Sequence, residues 1–233
     1  MRAMLLAVAA VAVACAIMTG MIREGWRHDQ IAARLDKAGA TTLWSYYFPI
    51  TSGQRKLPDW MERIRWMAPF RRIENVHIGS RSEDFDAQFS ALAELGSVHV
   101  VTARLSSSSN PPPGFGIQEL NRLMSQVRMD SLQIESVQLP RGRIPALSRQ
   151  ALSWLCVART QFSNPAIEDL PLSLTYFDAT RTRITDEGLP SFTRLKKLRS
   201  LSLRRTPTTP EAVEKLREQM PWCHIAWEPM QVK

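Results

Sequence analysis

The sequence predicts an α/β fold: a solenoid with parallel strands on its concave face and short helices on its convex face, preceded by one apolar transmembrane helix. Three observations lead there. A phrase of fixed apolar register recurs along the chain, several copies run into a helix-start signature, and residues 3–22 carry no charge.

The phrase is clearest in three copies: Leu152, Leu155, Val157, Thr160 and Phe162; Leu174, Phe177, Ala179, Thr182 and Ile184; Leu198, Leu201, Leu203, Thr206 and Thr208. Related copies begin at 73, 98, 129 and 220, so successive starts lie 25, 31, 23, 22, 24 and 22 residues apart. A period in this range marks units that stack on their neighbours, because one unit alone cannot bury enough apolar surface to offset its ordering entropy. The long interval holds 106–116, four serines, an asparagine, three prolines and two glycines around Phe115, which read as an inserted loop. The predicted strands are 73–78, 98–103, 129–134, 152–157, 174–179, 198–203 and 220–225.

Each strand phrase is followed by helix-start chemistry. Asn164 and Pro165 precede Ile167 and Leu170; Thr185, Asp186 and Glu187 precede Leu189, Phe192 and Leu195; Thr208, Thr209, Pro210 and Glu211 precede Val213 and Leu216. A capping side chain, a proline in the first turn and acidic residues near the positive helix end favour short helices.

Residues 174–189 resemble the leucine-rich repeat, in particular the bacterial unit LxxLxLxxTxITDEGL, through Leu174, Phe177, Ala179, Thr182, Ile184, Thr185, Asp186, Glu187, Gly188 and Leu189. The resemblance extends over 73–227 and is weaker before 129. It implies a concave sheet used for binding another protein. Many family members place asparagine at the turn, whereas this chain has Thr160, Thr182 and Thr206, whose hydroxyls can make similar backbone bonds. Val137 and Ser106 depart from the pattern in earlier copies.

The domain reading is a transmembrane or signal-anchor helix at 1–22, a juxtamembrane helix at 23–40, an N-terminal cap at 41–72, repeats at 73–219 and a closing strand and tail at 220–233. An apolar run of this length spans a bilayer core. A signal peptide removed after Ala14 and a lipid attached through Cys15 are the alternatives. The segment 23–40 reads as a polar helix that ends at Gly39, for which a solvated spacer and arginines turned to lipid phosphates both fit. Arg23, Arg27, Arg34 and Lys37 follow the run and only Arg2 precedes it, a bias favouring a cytoplasmic repeat domain, although exported chains begin similarly.

The net charge of +8 is unevenly placed: residues 23–72 hold ten basic and five acidic side chains, and residues 73–233 are nearly neutral. Binding of nucleic acid or another anionic polymer is therefore the alternative reading rather than the first one. His28, His77, His99 and His224 have no metal-ligand spacing, and the familiar hydrolase, metalloprotease, dithiol and phosphate-loop patterns are absent. The expectation is a non-enzymatic module without cofactor or metal. Cys15, Cys156 and Cys223 suggest no local disulfide pair.

Alternation along a strand sends the leucines inward and the third, fifth and seventh positions of each phrase outward. The predicted partner-binding residues on that face are Trp154, Tyr176, Asp178, Ser202, Arg204, Glu135 and Gln133, with Trp154 and Tyr176 as lateral neighbours. Cys156 and Ala158 are expected outward as well.

Overall fold

The structure, a computed structural model, describes residues 2–46, 71–78, 85–95, 97–104, 117–135, 139 and 141–230. One sheet runs in chain order through β1 (Thr41–Tyr46), β2 (Arg71–Ile78), β3 (Ser97–Arg104), β4 (Arg128–Glu135), β5 (Trp154–Cys156), β6 (Tyr176–Asp178), β7 (Ser200–Ser202) and β8 (His224–Ala226). From β2 to β8 every pair is parallel. This is a leucine-rich-repeat-like α/β solenoid. The last strand sits later than predicted, at 224–226, because the chain turns through Pro221, which has no N–H for a ladder.

The other face begins with α2 (Phe85–Leu95) and α3 (Ile117–Gln126) and then thins to a 3-10 turn (Leu147–Arg149), the single turn α4 (Asn164–Ile167) and a 3-10 helix (Asp186–Arg194), before α5 (Pro210–Gln219). The element after Thr185 departs from regular α-helix because Pro190 lies inside it and cannot donate to the preceding turn. At α5, Thr209 accepts the Ala212 N–H at 3.3 Å and Pro210 takes the first turn, as the sequence predicts. Between the layers, Leu155, Phe162, Phe177, Phe192, Leu201 and their equivalents form one continuous buried core. Phe177 meets Phe162 and Phe192 with ring centroids 5.5 and 5.9 Å away, linking adjacent repeats.

The N-terminal end is closed from two directions. β1 pairs antiparallel with β2, from Thr41 opposite His77 to Tyr46 opposite Arg71. Ahead of it, α1 (Arg2–Lys37) is one unbroken helix. Toward its N-terminus Val8, Val11, Val13 and Ile17 are exposed, whereas Ile31, Ala32 and Leu35 are buried in the common core. Gly39, at φ +80°, ends the helix; Gly39 N–H donates to Asp36 O and Ala40 N–H to Leu35 O, both at 2.9 Å.

This corrects the solvated-spacer reading of 23–40 and, at Arg34, the lipid-facing one. The segment is neither a solvated spacer nor a helix whose Arg34 is turned to lipid: Arg34 clasps Glu94 with both guanidinium amines, Arg27 donates to the Glu94 carbonyl, and Gln88 of α2 donates to Ala38 O. The apolar residues at 31, 32 and 35 form a stripe that needs a partner, and α2 with β2 provides it. The predicted cap at 41–72 contributes β1, while its remaining residues 47–70, including Trp60 and Trp66, lie outside the described residues. So do the predicted insert 106–116, with Ser106, and Val137. At the far end, Trp222 and Trp227 pack against the core, and the Trp227 indole N–H donates to Thr208 Oγ1 at 2.9 Å.

Candidate functional site

Repeat stacking depends on the turns after β5, β6 and β7. Arg159, Arg181 and Arg205 adopt φ of 59°, 57° and 55°, and each N–H donates to a carbonyl of the following turn: Thr180 O at 2.8 Å, Arg204 O at 2.9 Å and Glu228 O at 2.7 Å. Left-handed backbone strains a residue with a side chain. The next residue offsets this: Thr160, Thr182 and Thr206 are buried and donate to Val157 O, Ala179 O and Leu203 O at 2.7, 2.8 and 2.7 Å. The hydroxyl does the work expected of a turn threonine, satisfying carbonyls that a tight bend removes from the ladder.

These turns hold the outward rows of the sheet in register. In one row, Ser131, Trp154, Tyr176, Ser200 and His224 are consecutive neighbours; in the next, Gln133, Cys156, Asp178, Ser202 and Ala226 follow. The Trp154 and Tyr176 rings stack with centroids 5.2 Å apart and planes 5° from parallel. Both are half-buried. With serine on either side, the pair has short neighbours and stands as a flat aromatic platform. Burial, then Asp178, raises the Tyr176 pKa, so the phenol remains a neutral donor and acceptor at physiological pH.

Below the platform the polar residues are already engaged with one another. Asp178 accepts the Thr180 N–H at 2.9 Å and its hydroxyl at 2.5 Å, and Thr180 Oγ1 lies 3.0 Å from Ser202 Oγ. Gln133 donates to Glu135 at 2.5 Å. Arg204 is exposed beside this network. Thr180 is the member that the site prediction lacks; the signal was present as the Asp-x-Thr spacing, which lets an aspartate carboxylate turn back onto the backbone two residues on.

Two outward positions are corrected. Cys156 and Ala158 are 3% and 9% exposed, because small side chains set among larger ones on a concave surface are overshadowed. Gln133 and Asp178 flank Cys156 in the register. Cys223 is buried too, and burial pushes its thiol up to about 11. Among the described residues, no group of three or more His, Cys, Asp and Glu side chains is placed to hold a metal ion.

No protein-family model matches the chain, and no curated protein matches it by sequence. Solved structures do. An internalin from Listeria monocytogenes aligns with 67% of this chain and 49% of its own, at 16% identity and a TM-score of 0.44. A leucine-rich repeat protein of Leptospira interrogans aligns with 58% and 38%, at 18% identity and a TM-score of 0.37. The TLR13–ssRNA13 complex aligns with 58% of this chain and 20% of that one, at 18% identity and a TM-score of 0.43. The chain thus spans about half or less of the length of each. At these values nothing about ligand or partner passes to this chain, whose solenoid is defined by its own strand register.

Proposed function

We propose that the chain is a membrane-anchored interaction module that holds another protein against its concave sheet, with Trp154 and Tyr176 as the anchoring contact. The stacked ring pair carries the reading: two large flat surfaces, held rigid by the ladder, meet a partner at little entropic cost. Asp178, Ser202, Arg204, Gln133 and Glu135 supply a polar rim. The anchoring half rests on α1, the one helix among the described residues that is long and apolar enough to cross a membrane.

The test is crosslinking and co-purification from native membranes with wild type and a Trp154→Ala/Tyr176→Ala double variant. The double variant is expected to lose the captured protein while its unfolding midpoint stays within a few degrees of wild type. Collapse of the midpoint would make the rings structural and end the proposal.

One observation favours the second reading, an anionic polymer. Arg159 and Arg181 are exposed at equivalent turn positions of successive repeats, beside exposed Arg183 and Arg204. Salt-sensitive retention on heparin or DNA, lost on Arg159→Glu/Arg181→Glu substitution, would support that reading over a protein partner.

A further inference from the structure

The direction of α1 decides which edge of the solenoid meets the membrane. α1 ends at Lys37, turns at Gly39 and returns as β1, whose first residue Thr41 pairs with His77 near the exit end of β2. Toward its N-terminus α1 therefore passes the entry end of β2, where His28 Nδ1 accepts the Ile73 N–H at 3.0 Å. Ile22, the last residue of the uncharged run, lies six helical residues below His28. That is about 9 Å. β2 itself begins two residues before Ile73, or about 7 Å lower. A bilayer headgroup layer is about 5–7 Å thick. With α1 across the bilayer, the strand-entry edge stands in the headgroups.

That edge is basic at the lead into β7, several strands away from α1. Lys196, Lys197 and Arg199, all exposed, lead into β7. Among the described residues no carboxylate pairs with Lys197 or Arg199, and Lys196 lies 4.4 Å from the centroid of the Trp222 ring, at the entry to β8. Leu172, before β6, is 61% exposed on the same edge. Nearer α1, a recess of about 850 Å³ mixes Arg27, Arg128 and Arg149 with Glu24, Glu74 and Asp130, so its charges offset one another.

We infer that the strand-entry edge is a second membrane contact, in which Lys196, Lys197 and Arg199 bind anionic phospholipid headgroups and Leu172 enters the interface on the same edge. This rests on the anchored reading above. Exposed cations within a Debye length of an anionic leaflet are attracted to it, and an exposed leucine on the same edge can bury its side chain at the headgroup boundary. The contact fixes the solenoid at two separated points, so the strands stand across the membrane plane and the concave face opens sideways, parallel to the bilayer.

The experiment uses the full chain in lipid nanodiscs with 30% phosphatidylglycerol or with phosphatidylcholine alone. Single fluorophores are placed at native Cys15, or, with Cys15→Ser, at Leu172→Cys or at Arg181→Cys on the opposite edge. Quenching by acyl-chain nitroxide at position 15 reports insertion. Quenching by headgroup nitroxide is expected to be at least threefold stronger at 172 than at 181 in anionic discs. The difference should fall by half or more with Lys196→Glu/Lys197→Glu/Arg199→Glu, or in neutral discs. Equal quenching at 172 and 181 with position 15 quenched overturns the edge contact and leaves the anchor standing; no quenching at 15 overturns both. A 172 signal indifferent to lipid charge and to the triple reversal also overturns the assignment to anionic headgroups.

Discussion

Asp169 shows how one side chain joins two repeats. It is 2% exposed, accepts the Ile144 N–H at 2.6 Å and pairs with Arg143 at 2.7 Å, closing the turn before β5 onto the segment after α4. A buried carboxylate is costly unless its oxygens are satisfied. Here the Arg143 bond, followed by the Ile144 N–H against the opposing effect of burial, holds the carboxyl below its ordinary pKa. A depressed folded pKa gives stability that is present above the unfolded value of about 4 and is lost as pH falls through the folded value. Asp169→Asn is expected to cost about 2–3 kcal/mol at pH 7. The gap to wild type should narrow below about pH 4, as urea unfolding followed by circular dichroism at several pH values will show.

Contacts between consecutive elements depend on similarly close fits. Gly188 opens the 3-10 helix after β6, and a Cβ there would lie 2.4 Å from Asn164 Oδ1 and 2.9 Å from Ile167 Cδ1. Asn164 is not free to yield: it donates to Thr185 Oγ1 at 2.7 Å and accepts the Thr185 N–H at 3.0 Å, tying α4 to the next repeat. The glycine of the DEGL phrase is therefore there for close approach, and its φ is not positive. Gly188→Ala is expected to destabilise by about 1–3 kcal/mol, read as a lower melting temperature. The variant Asn164→Ala/Gly188→Ala should show partial compensation, because the clashing amide is gone; strict additivity would disprove the clash.

At the scale of the molecule, α1 serves as both candidate span and N-terminal cap. Val8, Val11, Val13, Ile17 and Met18 are exposed, whereas Ile31 and Leu35 cover the core at the β2 end. The two roles separate by truncation. Full-length protein is expected to resist carbonate and high-salt washing of membranes, and deletion of 1–22 to release it with the melting temperature nearly unchanged. Deletion of 1–37 should strip the cap and lower that temperature by about 10 °C or more, since burying even one leucine contributes about 2 kcal/mol and a domain of this size shifts about 2–4 °C per kcal/mol. A soluble full-length chain with an intact N-terminus would defeat the anchored reading.

The repeat register was legible in the sequence because a strand-and-turn unit must present the same inward pattern at every copy. Leu155, Phe177 and Leu201 consequently announced both the parallel ladder and the neighbourhood of Trp154 with Tyr176. The apolar run 3–22 and the stop at Gly39 were equally plain, since length, charge and left-handed backbone are local properties. Only the tertiary structure decided what lay between them. Whether Ile31 and Leu35 face water, lipid or protein depends on a partner stripe in α2 some sixty residues on, marked by the Arg34–Glu94 pair. Exposure on the concave face was also beyond local reading, because Cys156 is covered by what neighbouring repeats place beside it. Periodicity decides which way a side chain points, and the size of its lateral neighbours decides whether solvent reaches it.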